Sequence, residues 1–208
     1  TQVLFTSTTH GFTSLEPSSG KLNWETNGVF QSRCVSSPVI VGDLVFSTAG
    51  QGGGGRQAVA VKISSGEIKY NLRRALPYVP TAVAVGGLLF LWSDGGVVSC
   101  IRAETGQEIW QQRVGGTYYG SPICADGRLF AMSQQGELVV LRASQQFELL
   151  GRYDLGEPSQ ATATVSNGVM YLRTNGHLIS VGERIESDWA AWRGPRGDGT
   201  WHGPRLGN

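Results

Sequence analysis

The sequence predicts an all-β fold, a β-propeller built of four-stranded antiparallel blades of about 40 residues each. Three observations predict it: a recurring sequence unit, a high glycine content and the lack of helical periodicity. Glycine supplies 30 of the 208 residues, whereas charged residues make up only 16% of the chain. This composition suits many short strands joined by tight turns.

The first half of each unit predicts the two inner strands of a blade. Two short apolar strands are joined by a pair of Gly, Asp or Asn residues, which accept the positive φ angles of a two-residue hairpin turn. The four copies read VIVGDLVF at 39–46, VAVGGLLF at 83–90, ICADGRLF at 123–130 and TVSNGVMY at 164–171. Each ends in an aromatic residue, and Phe5 ends a partial copy at the start of the chain.

The second half of the unit predicts the two outer strands. It contains an apolar strand, a Ser-Gly or Thr-Gly turn, and an outer strand with an aromatic residue four positions after the glycine. These aromatic residues are Trp24, Tyr70 and Trp110. We expect them to pack between adjacent blades, because a blade buries its faces only against its neighbours.

The repeat register divides the chain into propeller blades, residues 1–186, and a tail rich in Trp, Gly, Pro and Arg, residues 187–208. We expect three complete blades, at 36–72, 80–112 and 120–153, and an incomplete blade at each end. This pattern indicates a partial propeller, either a piece of a longer chain or one whose open strand edges promote self-association. The tail would close the ring or begin a further module.

The stretch STAGQGGGGRQAVAVK, residues 47–62, places Gly50, Gly52 and Gly55 in the spacing of a dinucleotide-binding loop. Such a loop must open a helix and be followed by an acidic residue about 20 positions later. Here a strand follows, and the register shows an insertion of about four residues in a propeller hairpin. The stretch is therefore predicted to be a long turn.

The repeats resemble a known family, the pyrroloquinoline-quinone-type (quinoprotein-like) β-propeller repeat. The segments that carry the resemblance are SSGKLNW at 18–24, SSGEIKY at 64–70, AETGQEIW at 103–110, SPVIVGDLVF at 37–46 and SPICADGRLF at 121–130. The resemblance covers roughly residues 1–185 and implies a bacterial protein that is periplasmic or secreted. The family contains quinoprotein dehydrogenases, a scaffold of outer-membrane protein assembly and many proteins that bind no quinone, so it implies a fold rather than an activity.

A small hydroxyl residue stands at the start of each innermost strand and is followed by a small residue. These hydroxyl residues are Ser37, Thr81, Ser121 and Thr162. The crowding around a central channel favours such residues. We expect them to line the channel, and ligand binding is the alternative role.

The loops that link each outer strand to the next inner strand converge on one face around the channel. They are rich in arginine and tyrosine, which are over-represented at binding hot spots. The predicted rim site contains Arg33, Arg74, Tyr78, Tyr118, Tyr119 and Gln160. We expect these residues to bind a partner, and ordinary solvated loops are the alternative interpretation.

The sequence supplies neither a catalytic nor a metal site. A quinone enzyme would need calcium held by carboxylate and amide ligands, a catalytic aspartate and a stacking tryptophan, but the rim loops contain almost no acids. Cys34, Cys100 and Cys124 lack metal-ligand spacing. We therefore expect no cofactor. Quinone with calcium is expected only if the chain is a fragment of a quinone-dependent dehydrogenase whose cofactor site lies in missing blades.

The predicted function is therefore binding: a non-catalytic extracytoplasmic propeller that acts as a scaffold for a protein, a peptide or a surface polymer. The alternatives are the dehydrogenase fragment and a sensor domain of a larger signalling protein. A formal net charge of +1 argues against nucleic acid as the partner. No apolar stretch approaches the ~20 residues of a membrane-spanning helix.

Overall fold

A computed structural model describes residues 1–52, 54–74 and 76–182 of the chain. In this part of the chain every regular element is a β-strand, and the eighteen strands β1 to β18 form five antiparallel sheets in sequence order. The middle three sheets have four strands each, and the first and last have three. The prediction of an all-β protein with three complete and two incomplete four-stranded blades is confirmed. The predicted tail, residues 187–208, lies outside the described residues.

We number the sheets as blades I to V. Blade I contains β1 (Val3–Ser7), β2 (Gly11–Leu15) and β3 (Leu22–Thr26). Blade II contains β4 (Val39–Val41), β5 (Leu44–Gln51), β6 (Gly54–Lys62) and β7 (Ile68–Leu72). Blade III contains β8 (Val83–Val85), β9 (Leu88–Trp92), β10 (Val97–Arg102) and β11 (Glu108–Arg113). Blade IV contains β12 (Ile123–Ala125), β13 (Arg128–Met132), β14 (Glu137–Arg142) and β15 (Leu149–Asp154). Blade V contains β16 (Thr164–Ser166), β17 (Val169–Arg173) and β18 (Leu178–Val181).

The hairpin turns between the two inner strands have the backbone conformation that their residues predict. Asp126 and Asn167 are the two non-glycine residues with positive φ in the described chain, at 47° and 51°. Each is followed by a glycine that also has positive φ, which is the pattern of a type I′ turn. These turns fix the register of β12 with β13 and of β16 with β17.

The glycine-rich stretch forms strand rather than a long turn, so that prediction is wrong. Strands β5 and β6 continue through it to pair Gln51 with Gly54, with a bulge between Ala49 and Gln51. They have eight and nine residues, whereas the corresponding β9 and β10 have five and six. The inserted residues join the paired strands β5 and β6, so the hairpin of blade II is longer than the corresponding β9–β10 hairpin of blade III.

The hydrophobic core lies between adjacent blades. Successive side chains of a strand point to opposite faces, so each blade contributes to two clusters. In blade II, Phe46 and Ala60 pack toward blade III, whereas Val45 and Val59 pack toward blade I. Among the described residues, the terminal blades each pack one face against a neighbouring blade, and Leu178 of blade V is 70% exposed.

The outer-strand aromatic residues each donate a hydrogen bond to the main chain of the following blade. Trp24 Nε1 donates to the carbonyl oxygen of Ile63 over 3.1 Å. The Tyr70 hydroxyl donates to Ala103 over 2.7 Å, and Trp110 Nε1 donates to Ser144 over 3.1 Å. The structure thus places all three residues between blades, where they tie successive sheets together through polar as well as apolar contacts.

Candidate partner-binding site

The four hydroxyl residues of the innermost strands connect the blades in a row. The Ser37 amide donates to Thr81 Oγ1 over 3.1 Å, and the Thr81 amide donates to Ser121 Oγ over 3.0 Å. The Ser121 amide in turn donates to Thr162 Oγ1 over 3.0 Å. The hydroxyls of Thr81, Ser121 and Thr162 therefore each pair with a main-chain amide at the start of the preceding inner strand. This geometry gives the residues a structural role in spacing the blades.

The loops between blades lie at the same end of the sheets as the hairpins that join the second and third strands. The Tyr118 amide, in the loop between blades III and IV, donates to the carbonyl oxygen of Asp94 in the β9–β10 hairpin over 2.9 Å. The amide of Gln134, in the β13–β14 hairpin, donates to Thr117 over 2.7 Å. We call this end of the array the loop face and the opposite end, which carries turns such as Asp126–Gly127, the turn face.

A pocket of about 450 Å³ opens on the loop face between blades II and III. Tyr78 and Tyr119, two of the predicted rim residues, both line it. Gly52, Arg56, Asp94 and Thr117 also contribute to its walls. We call this cavity the loop-face pocket. Two loops that are distant in sequence thus present a tyrosine each to the same cavity.

Asp94 holds one wall of the loop-face pocket in place. Its Oδ2 accepts a hydrogen bond from the Tyr78 amide over 2.8 Å, and its Oδ1 accepts one from the Val79 amide over 3.1 Å. Arg56 Nη2 lies 3.6 Å from the same carboxylate, and Arg56 Nη1 donates to the Leu76 carbonyl oxygen over 3.3 Å. The carboxylate therefore anchors the loop that carries Tyr78.

The sequence analysis did not predict this role, because it assigned neither Asp94 nor Arg56 to the rim site. The position of Asp94 in a hairpin between second and third strands was the available signal. Such hairpins lie on the same face as the loops between blades, where a carboxylate can reach the amides of a neighbouring loop.

The glycine-rich hairpin forms a further wall of the pocket. A Cβ built on Gly50 would lie 3.0 Å from the Cβ of Tyr78, so the tyrosine side chain packs directly on the glycine main chain. The Gly50 amide donates to the carbonyl oxygen of Arg33 over 3.0 Å, which binds the hairpin to the preceding loop. The extended hairpin thus supports Tyr78 from the side of blade II.

Tyr118 is buried, so its assignment to the exposed rim is wrong. Its relative exposure is 0%, and its ring and that of Trp92 pack in a T-shaped arrangement, with the ring centroids 5.2 Å apart. Burial raises the pKa of its phenol to about 12. Adjacent residues of an extended loop point in opposite directions, and Tyr119, which is 47% exposed, is the one that faces the pocket.

The remaining predicted rim residues do not join the pocket. Arg74 lines a separate groove of about 330 Å³ beside Leu91 and Ile101, between blades II and III. Gln160 lines a pocket of about 380 Å³ with Arg173 of blade V. Arg33 is exposed, beside the glycine-rich hairpin. The structure therefore brings together Tyr78 and Tyr119 and places the other rim residues around them.

Within residues 1–52, 54–74 and 76–182, no group of three or more His, Cys, Asp or Glu side chains is placed to hold a metal ion. Burial raises the pKa of Cys34 and of Cys100 to about 11, so both thiols are protonated at neutral pH. Cys100 lies in the core between blades III and IV. The described chain contains no helix that is long and apolar enough to span a membrane.

Comparison with known proteins identifies the family. The family model described as outer membrane protein assembly factor BamB matches residues 78–184, half of the chain. The protein of that name from Moranella endobia (strain PCIT) is 25% identical over 185 residues, which cover 81% of this chain and 45% of the relative. The one from Yersinia pestis is 30% identical over 139 residues, which cover 59% of this chain and 34% of the relative. The chain thus spans less than half the length of these curated relatives.

Solved structures show the same fold. The crystal structure of BamB from Moraxella catarrhalis superposes with a TM-score of 0.70 at 16% identity, over 88% of this chain and 58% of that one. The computationally designed Ika8 protein superposes with a TM-score of 0.70 at 14% identity, over 88% of this chain and 55% of that one. The predicted resemblance is confirmed: the chain belongs to the bacterial family of pyrroloquinoline-quinone-type propeller proteins described as outer membrane protein assembly factor BamB.

Proposed function

We propose that this chain is a protein-binding propeller of the bacterial periplasm that acts in the assembly of outer-membrane proteins. The family supports the process, because both curated relatives are named outer membrane protein assembly factors. The observation that carries the binding role is the loop-face pocket, where Tyr78 and Tyr119 meet. The partner's anchoring side chain occupies this pocket.

The pocket has the physical properties of a protein anchor site. Tyrosine rings supply a large contact area at a low cost in side-chain entropy, and their hydroxyls add directional hydrogen bonds. The hydrogen bonds from the Tyr78 and Val79 amides to Asp94 hold the main chain of the Tyr78 loop in place before a partner arrives. Such preorganisation reduces the entropy lost on binding.

Site-specific photo-cross-linking in the native bacterium tests the proposal. The full-length protein would carry benzoylphenylalanine in place of Tyr119, and its cross-linked products would be identified by mass spectrometry. The matched control places the same residue at Tyr153, which is 57% exposed on the outer strand of blade IV. We expect position 119 to cross-link to a component of outer-membrane protein assembly, and position 153 to give no such product.

A phenotype provides a second readout. The double variant Tyr78→Ala/Tyr119→Ala should lower the amount of folded outer-membrane proteins, whereas Tyr153→Ala should leave it unchanged. Equal cross-linking from positions 119 and 153, or normal outer-membrane protein levels in the folded double variant, would contradict the proposed function.

A further inference from the structure

We propose that the loop-face pocket binds an acidic, extended protein segment, whose carboxylates pair with arginines around the pocket while an apolar side chain enters between the two tyrosines. The proposal rests on the proposed function and specifies the chemistry of the partner. It is carried by the distribution of charge around the pocket.

Two arginines contact the wall of the loop-face pocket, and a third, Arg33, lies in the loop that is bonded to the glycine-rich hairpin. Arg56 lines it directly. Arg113 Nη1 donates to the carbonyl oxygen of Gly95, a residue of the pocket wall, over 3.1 Å. Arg33 is exposed and pairs through its main chain with Gly50, on which Tyr78 packs. The guanidinium groups of Arg56 and Arg113 therefore lie at the pocket wall, and Arg33 adds an exposed cationic residue on the adjoining loop.

The negative charge at the pocket is already balanced. Asp94 is the acidic residue of the wall, and its carboxylate faces Arg56 and two main-chain amides. Within the described residues, neither Arg33 nor Arg113 has an acidic side chain within 4.0 Å. The formal charge of the whole chain is only +1, so this local excess is a property of the pocket.

The chemistry of these residues favours carboxylates on a polypeptide. The planar guanidinium of arginine binds a carboxylate through two parallel hydrogen bonds. The rings of Tyr78 and Tyr119, with Val79, offer apolar surface between the charges. Gly52 and Gly95, in the hairpins of two successive blades, lack side chains and let a partner's main chain approach closely. Acidic residues that flank one apolar residue match this arrangement.

Fluorescence anisotropy with defined peptides tests the inference on the purified full-length protein. The probe is a labelled peptide of three Asp-Phe-Glu-Gly repeats. The comparison peptides replace Asp and Glu by Asn and Gln, or by Lys. We expect the acidic peptide to bind at least about tenfold more tightly than the neutral one, a difference that salt should reduce because it screens exposed charges.

Variants that remove single arginine charges show which face of the protein binds the acidic peptide. Arg33→Gln and Arg113→Gln should each weaken binding of the acidic peptide by about threefold, and the double variant by about tenfold, the range of exposed ion pairs. Arg102→Gln and Arg128→Gln are the matched controls, since both residues are exposed and lie at the turn face. These controls should bind the acidic peptide as the unmodified protein does.

The outcomes separate this inference from the proposed function. Equal binding of acidic and neutral peptides, or equal losses in loop-face and turn-face variants, would overturn the acidic-segment proposal even if position 119 cross-links to an assembly component. Conversely, a strong acidic preference without that cross-link would support the chemistry of the pocket and contradict its proposed role in assembly.

Discussion

The indole of Trp24 in blade I packs directly on Gly66, in the turn between β6 and β7 of blade II. A Cβ built on Gly66 would lie 2.5 Å from Trp24 Cε3 and 2.5 Å from Thr26 Oγ1. Tyr70 and Gly106 repeat the arrangement one blade later, with 2.8 Å between the built Cβ and Tyr70 Cδ2. The glycines of these two turns, Gly66 and Gly106, therefore leave the space that the aromatic ring of the preceding blade occupies.

Replacing Gly66 by alanine should disrupt the packing of Trp24 on this turn. Gly66 has a φ of +73°, so the substitution adds backbone strain to the clash with Trp24. We expect Gly66→Ala to lower the free energy of unfolding by about 3 kcal/mol, the sum of a left-handed backbone penalty and overpacking. Urea denaturation followed by tryptophan fluorescence measures the loss.

Gly86→Ala is the matched control for this prediction. Gly86 also has a positive φ, +54°, but nothing lies within 4 Å of a Cβ built there. Only the backbone penalty, about 1 kcal/mol, should remain. Equal losses in the two variants would show that contact with Trp24 does not stabilise the blade interface.

The sequence predicted the fold well because each blade repeat contains turn residues at a fixed spacing from nearby strand residues. The spacing of Gly66 to Tyr70 and of Gly106 to Trp110 predicts the outer turn, and the pair Asp126–Gly127 predicts the inner one. Both signals depend on residues close together in the chain. Blade number and strand order followed from them directly.

The candidate site was predicted less completely, because it depends on contacts between blades. Two adjacent tyrosines, Tyr118 and Tyr119, look equivalent in sequence, and only the packing of Tyr118 on Trp92 shows which is buried. The link from Asp94 to the Tyr78 loop is likewise a contact between separate loops. The glycine-rich stretch was predicted to be a long turn because the repeat register showed an insertion in a hairpin, whereas the inserted residues lengthen the paired strands β5 and β6.

Asp94 should act as a positioning residue for the pocket. Asp94→Asn removes the charge that faces Arg56 and weakens the bonds from the Tyr78 and Val79 amides. We expect the free energy of unfolding to fall by about 1–3 kcal/mol, the range for buried charged hydrogen bonds. Cross-linking from position 119 should also decrease.

Asp126→Asn provides the control, because Asp126 occupies a hairpin turn at the turn face and asparagine accepts the same left-handed backbone. Its effect on stability should stay within about 0.5 kcal/mol. If Asp94→Asn were equally mild and left cross-linking unchanged, the anchoring role of this carboxylate would be excluded.

The burial of Tyr118 should make the stability of the protein depend on pH in alkaline solution. Burial is the main cause that raises the pKa of its phenol to about 12 from an ordinary 10.0, and the nearby Glu137 carboxylate adds to the rise. In the unfolded chain the Tyr118 phenol ionises near pH 10, whereas in the folded protein it stays neutral to higher pH. The contribution of the neutral phenol to the free energy of unfolding is therefore complete below pH 10 and is lost as pH rises toward 12.

Tyr118→Phe tests this account of the buried phenol. In the described chain neither the Tyr118 hydroxyl nor Trp92 Nε1 has a partner with good hydrogen-bond geometry, so removal of the hydroxyl should leave the free energy of unfolding at pH 7 unchanged or raise it by up to about 1 kcal/mol. The variant should also lose less stability between pH 9 and 11. Urea midpoints measured across this range provide the readout. Tyr119→Phe should match the unmodified protein in stability, and a destabilised Tyr118→Phe would refute the assignment.

Ionised Glu157 should stabilise the β17–β18 hairpin, and this stabilisation should be lost in acid. Its Oε2 accepts hydrogen bonds from Thr174 Oγ1 over 2.7 Å and from the Gly176 amide over 2.9 Å, and its Oε1 lies 2.8 Å from His177 Nδ1. The Thr174 bond contributes most to lowering the pKa of Glu157 below 4.5. The stabilisation is present above pH 4.5 and is lost as pH falls through the lower pKa of the folded state.

Nuclear magnetic resonance can follow this titration through the amide proton of Gly176. We expect its chemical shift to change with a midpoint below pH 4.5 in the unmodified protein and in Glu104→Gln, an exposed control. The change should be absent in Glu157→Gln. A midpoint at or above 4.5, or an unchanged titration in Glu157→Gln, would contradict the assignment.

The most direct test of the central claim is a structure of the full-length protein bound to the partner recovered by cross-linking from position 119. Partner atoms within about 4.5 Å of both Tyr78 and Tyr119, with an acidic side chain beside Arg113, are the predicted result. A partner seated on the turn face, around Asp126, with the loop-face pocket open to solvent, would contradict the account.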